Sequence, residues 1–486
     1  MPSVKKEITG PAKELSVAVT IKGDKKNPGP VECFRSGRDY TGKSSQSKRK
    51  KVIALFKDHG FRVSAEGEVT VSFRGSRRSF EKLFRSKLVT DSIEENLGST
   101  VRIQRFYTQS IDEDEVWRHD ESLNELIDGA YVQRPHSYMN QRFARERPSP
   151  IAPRTHDYSL STSDIPIILN ASKAHRAGYT GRGVKVAMID SGFAFAHPFF
   201  VERGYNVRTV HAPSADKPEE DGIGHGTGEC PNLLAVAPDV EFIGIKLEKE
   251  GSPQKASLLE GFQTALKHSP QVISVSIAFD LRGKDGKPLK YLPSEQIPLQ
   301  AEIANAVKKG ITVVFSAGNG QIGFPSMMPE VISVGGVFVD PYGGMEASDY
   351  ASAFTSKVFP KRKVPDLCGL VGRSANGANY LVLPLPPHSL IDRLKAMVDG
   401  TEPNSGWGVF SGTSAAAPQV AGACALLLQK NPKLKPSKVL NILKSACRSI
   451  KYGTANPSSN PGGQPLSGRS ATGSGLIDVA KALGKA

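Results

Sequence analysis

The sequence predicts a mostly parallel α/β sheet with helices on both faces, preceded by a smaller α+β unit. Three observations lead there. Beyond about residue 160, short apolar runs recur without polar alternation, as strands buried on both faces require. Segments with helical periodicity fall between those runs. Before them, residues 1–130 carry half-polar elements in a different order, and 486 residues exceed one typical domain.

In the first unit, "ELSVAVTIKG" (14–23) alternates as a strand. "SKRKKVIALFKDHG" (47–60) sets Val52, Leu55 and Phe56 at helical spacing and stops at Gly60. "FRVSAEGEVTVSFRG" (61–75) reads as two short strands about Glu66-Gly67. "SRRSFEKLFRSKL" (76–88) puts Phe80, Leu83, Phe84 and Leu88 on one helical face. With "VRIQRFYTQ" (101–109) as the closing strand, the order is that of a ferredoxin-like α+β fold. An acidic, partly helical stretch follows. Residues 131–160, rich in arginine and proline, read as an exposed, cleavable linker.

The second domain, 161–486, offers strands at 184–190, 241–247, 272–279, 311–318 and 331–339. Helices fit at 254–267, 295–309, 414–429 and 436–448. Residues 373–406, with "LPLPPHS", read as an irregular surface insertion. No stretch approaches the ~20 apolar residues of a membrane span. The basic start lacks the apolar run of a Sec signal, so cytoplasmic synthesis is expected, with export by a non-classical route left open. The five scattered cysteines, Cys33, Cys230, Cys368, Cys424 and Cys447, suit free thiols better than a disulfide framework. A net charge of +15, concentrated early, suits solvated surface before it suits nucleic acid.

Three stretches carry the chemistry. "AMIDSG" puts Asp190 at the carboxyl end of a strand, "GIGHGTGEC" sets His225 among turn-forming glycines, and "SGTSAAAP" opens a helix with Ser414. Ligands bind at the carboxyl ends of strands in open α/β sheets, so the three can converge. A serine hydroxyl needs an imidazole to take its proton, and a carboxylate orients that imidazole. "FSAGNG" ends a strand at Asn319, whose amide can donate to an oxyanion together with the Ser414 N–H.

The order Asp, His, Ser and the motifs "DSG", "HGT", "SAGN" and "GTSxAxP" resemble those of subtilisin-like serine endopeptidases across residues 165–486. The resemblance implies Ser414 as nucleophile, His225 as general base, Asp190 as its partner and Asn319 as oxyanion donor. It also implies that Ser276, Ile277, Ala278 and Phe279 meet the substrate backbone, and that Gly323 lies near the S1 pocket. "HGTGECPNLLAVAPD" departs from the family's usual continuation and leaves no room for a common calcium loop. No cofactor is therefore expected, although calcium stays open. His225 and Cys230 lack the paired ligands of a zinc site. The N-terminal unit resembles the activation prodomain of sedolisins, as "FRVSAEGEVTVSFRGSRRSFEKLF" and "LIDGAYVQRPHSY" indicate. Glu229 falls near a sedolisin acidic position, but His225 and Asn319 stand where sedolisins carry acids.

Taken singly, Ser414 reads as a helix N-cap, Asn319 as a turn residue, His225 as a packed histidine and Asp190 as a cap or cation ligand. Together and in order, they read as a peptidase acting on polypeptides and made as a zymogen whose N-terminal domain is an intramolecular inhibitor. A silent peptide-binding relative, an enzyme targeted by a basic N-terminal module and an inhibitory partner protein are the alternatives.

Overall fold

The computed structural model describes residues 7–11, 13–23, 29–36, 46–97, 100–109, 123–138, 159–250, 255–283, 285–374, 380–395, 399, 401, 404–410 and 412–486. After a short strand at Glu7–Thr9, the main sheet and helices of the N-terminal unit include β1 (Glu14–Ile21), α1 (Gln46–Asp58), β2 (Arg62–Glu66), β3 (Thr70–Ser76) and α2 (Arg77–Phe84). Val52 and Phe56 of α1 and Phe80, Leu83 and Phe84 of α2 enter one core, as their spacing requires. Ser76 caps α2 by accepting from the Ser79 N–H.

The closing strand is not the expected one. Leu88–Leu97 (β4) and Thr100–Gln109 (β5) pair with each other as an antiparallel hairpin outside the main sheet of the unit. The fourth strand is Ile127–Val132 (β6), giving the antiparallel order β2-β3-β1-β6 of a ferredoxin-like sheet. "IDGAYV" is short and half-polar in composition, but it is buried on both faces. Ile127, Ala130 and Val132 fill the core of the unit, while Tyr131 packs against the second domain. Residues 123–126 form a turn, and most of the acidic stretch lies outside the described residues.

The expected linker also differs at its start. Residues 131 and 132 finish β6, and Ser137–Tyr138 (β7) lies against the second domain, so 131–138 is docked chain. Residues 139–158 of that linker lie outside the described residues.

In the second domain, with Leu367–Leu370 also pairing parallel beside β15, the path of the parallel sheet runs through β8 (Lys185–Asp190), β9 (Val207–His211), β10 (Glu241–Lys246), β11 (Val272–Val275), β13 (Thr312–Ser316) and β15 (Ile332–Val339). Their order is β9-β10-β8-β11-β13-β15. The run expected as one strand over 272–279 breaks at Ser276, after which β12 (Ile277–Asp280) leaves the sheet and pairs with β14 (Gly323–Phe324). On one face lie α3 (His225–Val236), α7 (Thr413–Lys430) and α8 (Pro436–Ala446). On the other lie α4 (Leu258–Lys267) and α5 (Ile297–Lys308). The described residues within 373–406 are more ordered than expected. Tyr380–Pro384 and Leu390–Lys395 form a strand and a short helix, burying Leu381, Leu383, Leu385 and Ile391 in the main core. Proline punctuation conceals that burial in the sequence.

The N-terminal sheet packs on α4 and α5. Glu302 Oε1 accepts from the Val69 N–H (3.2 Å), the Thr70 N–H (3.0 Å) and the Thr70 hydroxyl (2.8 Å). Ser72 donates to Gln263, whose amide donates to Thr70 (2.8 and 2.7 Å). Arg74 pairs with Glu260 at 3.2 Å, and Arg134 with Glu295 at 2.6 Å. Among the described residues, no helix is long and apolar enough to cross a membrane.

Candidate active site

β8 ends on Asp190 where the strand order reverses, between β10 and β11, the place where an open α/β sheet leaves a crevice. Its Oδ1 lies 2.6 Å from His225 Nδ1, and both side chains are fully buried. The local turn explains the contact. Gly224 takes φ +89 at the start of α3, a conformation glycine adopts without steric cost. A Cβ on Gly226 would meet the Gly192 carbonyl at 2.3 Å and the Asp190 Cβ at 2.9 Å, so "HG" is the residue pair that lets α3 begin beside β8.

Asp221 holds this turn, and the sequence reading did not single it out. Its carboxylate accepts from the Ser191 hydroxyl (2.8 Å), the Gly224 N–H (2.9 Å), the Thr227 N–H (3.0 Å) and the Thr227 hydroxyl (2.7 Å). Ser191 in turn accepts from the Gly226 N–H. The signal was an aspartate four residues before the histidine within "DGIGHG". Burial disfavours the imidazolium of His225. The Asp190 carboxylate, with Glu229 and Asp221 beyond it, outweighs that effect and holds the pKa above the usual histidine value.

Ser414 sits in the first turn of α7, where backbone N–H groups lack acceptors within the helix and the dipole favours negative charge. Pro418 lies four residues on and has no N–H to donate to the Ser414 carbonyl. The Ser276 hydroxyl takes that place at 2.9 Å, tying the break after β11 to the serine turn. The same device recurs in α3: Pro231 cannot serve the Thr227 carbonyl, and the buried Cys230 thiol contacts it at 3.5 Å. Burial pushes that thiol well above its ordinary pKa, as befits a packing group.

Asn319 follows β13. Its Oδ1 accepts from the Thr413 N–H (3.0 Å) and hydroxyl (3.2 Å), which directs the amide nitrogen end of the side chain away from that turn. Its own N–H donates to Gln321 Oε1 at 2.6 Å. Ile277, Ala278 and Phe279 lie on β12, where Phe279 pairs with Phe324 and Asp280 with Gly323. On its other edge, β12 pairs antiparallel with β7, Ile277 opposite Tyr138 and Ala278 opposite Ser137. Among the described residues, no group of three or more His, Cys, Asp or Glu side chains could hold a metal ion.

The Asp190–His225 pair thus lies at the carboxyl end of a parallel α/β sheet. The model of the subtilase family matches residues 181–464. Subtilisin E of Bacillus subtilis is 28% identical over 307 residues, 60% of this chain and 67% of its own length. Serine protease AprX of the same species is 30% identical over 284 residues, 55% of this chain and 61% of its own. The crystal structure of fervidolysin from Fervidobacterium pennivorans, a keratinolytic enzyme related to subtilisin, superposes with a TM-score of 0.55 at 16% identity. That match covers 99% of this chain and 64% of the fervidolysin chain, and it speaks for the fold alone. The chain belongs to the subtilase family and is a subtilisin-like serine peptidase.

Proposed function

We propose that this peptidase cleaves polypeptides through Asp190, His225 and Ser414, and that residues 1–138 act as its inhibitory prodomain until they are cut away. The 2.6 Å contact between Asp190 Oδ1 and His225 Nδ1 carries the catalytic reading. In that reading the Ser414 hydroxyl attacks the scissile carbonyl as His225 Nε2 takes its proton. Asp190 keeps the proton on Nδ1 and stabilises the imidazolium. The Asn319 amide and the Ser414 N–H receive the oxyanion. Collapse expels the amine, which takes the proton from Nε2; water then gives a proton to Nε2 as it attacks the acyl-enzyme, and the Ser414 oxygen leaves with that proton, freeing the carboxylic acid product.

The antiparallel pairing of Ser137–Tyr138 with Ile277 and Ala278 supports the zymogen reading. An edge strand binds extended peptide by its backbone, and a tethered segment occupies such an edge at high effective concentration. Residues 276–279 and Gly323 then contact substrate. The pairing supports a processing site in the residues just after Tyr138. A labelled fluorophosphonate tests the catalytic reading: it is expected to modify wild type and spare Ser414→Ala, and equal labelling of both would remove it.

A further inference from the structure

Glu229 stands four residues after His225 on α3, and its Oε1 lies 3.9 Å from His225 Nε2. Both side chains are buried, among leucine, valine and alanine of the main core. A carboxylate in such surroundings is costly unless it serves an interaction. Its other oxygen is held: Glu229 Oε2 accepts from the Asn232 amide at 3.2 Å. Asn232 Oδ1 accepts from Gln419 at 3.1 Å, and Gln419 clamps the Leu370 backbone, accepting at 2.7 Å and donating at 3.1 Å. Asn232 and Gln419 are fully buried, and the chain of contacts ties the histidine helix α3 to the serine helix α7. Packing alone does not call for three consecutive polar side chains at a helix–helix seam that also requires Gly422 against Leu233 and Val236.

We propose that Glu229 is a positioning residue for the reaction, a second carboxylate that favours the imidazolium form of His225 from its Nε2 side, with Asn232 and Gln419 fixing it in place. At 3.9 Å it lies beyond hydrogen-bonding reach, so it acts on the ring through charge and does not take the place of the serine proton. The charged groups acting on the ring are Asp190 from β8, Asp221 from the preceding turn and Glu229 from α3 itself, and the Cys230 thiol lies near the same three carboxylates. Asp190 fixes the Nδ1 side. Glu229 supplies the charge where the transferred proton arrives.

This inference rests on His225 being the general base. The test is the pH dependence of kcat/KM for a peptide ester, measured on purified full chain that has been allowed to process. In Glu229→Gln the acid limb is expected about one pH unit lower, with several-fold slower turnover on the plateau. Glu229→Asp keeps the charge one methylene farther away, and its limb is expected between the two; it serves alone if the glutamine variant does not accumulate. An acid limb that stays at the wild-type pH in a folded, active variant overturns the proposal, because a purely structural Glu229 would change yield or melting temperature without moving the limb. Failure of the underlying reading looks different: His225→Ala would keep wild-type turnover.

Discussion

Ser414, His225, Asp190 and Asn319 owe their placement to local chemistry that short motifs encode. Asn319 tests this most simply. With Oδ1 engaged by Thr413, its amide nitrogen is the donor end, so Asn319→Ala should lower kcat by about 10²–10³ with little change in KM. An unchanged kcat in steady-state assays would exclude it from the oxyanion site. Ser276 makes a second residue-scale prediction. Ser276→Ala strands the Ser414 carbonyl and should cost about 1–3 kcal/mol in denaturant unfolding. Adding Pro418→Ala returns a helical N–H to that carbonyl and should recover part of the loss. For His225 the sign follows from its raised pKa: the free base is lost as pH falls through a value above that of ordinary histidine. The acid limb of kcat/KM should therefore lie on the alkaline side of 6.5, the reference value for a free imidazole. These four side chains were legible in the sequence because each motif includes the glycine or proline that its turn needs. Asp221 and Gln419 were not, since their partners are backbone groups and side chains brought near only by folding.

At the scale of elements, most of the parallel sheet was readable from its apolar runs. The expected helices fell within a few residues of their bounds, while α3 and β9 were not among the expected elements. Two of the misreadings share one cause. Ile127–Val132 and, within 373–406, Leu381, Leu383, Leu385 and Ile391 look polar or broken in sequence and are buried against another element, which no local pattern reports. The contact of the N-terminal sheet with α4 and α5 is of the same kind. Glu302 is buried there, and desolvation raises its pKa despite its hydrogen bonds to Thr70 and Val69. A carboxyl whose pKa is raised by docking supports the docked state at low pH and loses that support as pH rises through the docked value. In Ser414→Ala protein, the melting temperature with Glu302 should therefore fall relative to Glu302→Gln as pH rises from 5 toward 8. A difference independent of pH would show that Glu302 stays ionised in the interface.

Over the whole molecule, the two units are joined through the cleft itself. The chain leaves β6, passes Arg134 on Glu295 and enters β7, which pairs with Ile277 and Ala278 of β12, the strand proposed to receive substrate. On the proposed zymogen reading, that continuity would keep the precursor silent until a single cut after Tyr138. Intact mass against time, for wild type and Ser414→Ala side by side, tests this most directly. The account predicts that wild type loses an N-terminal fragment ending shortly after Tyr138 while the variant stays whole. Loss of the same fragment from Ser414→Ala at the same rate would contradict it.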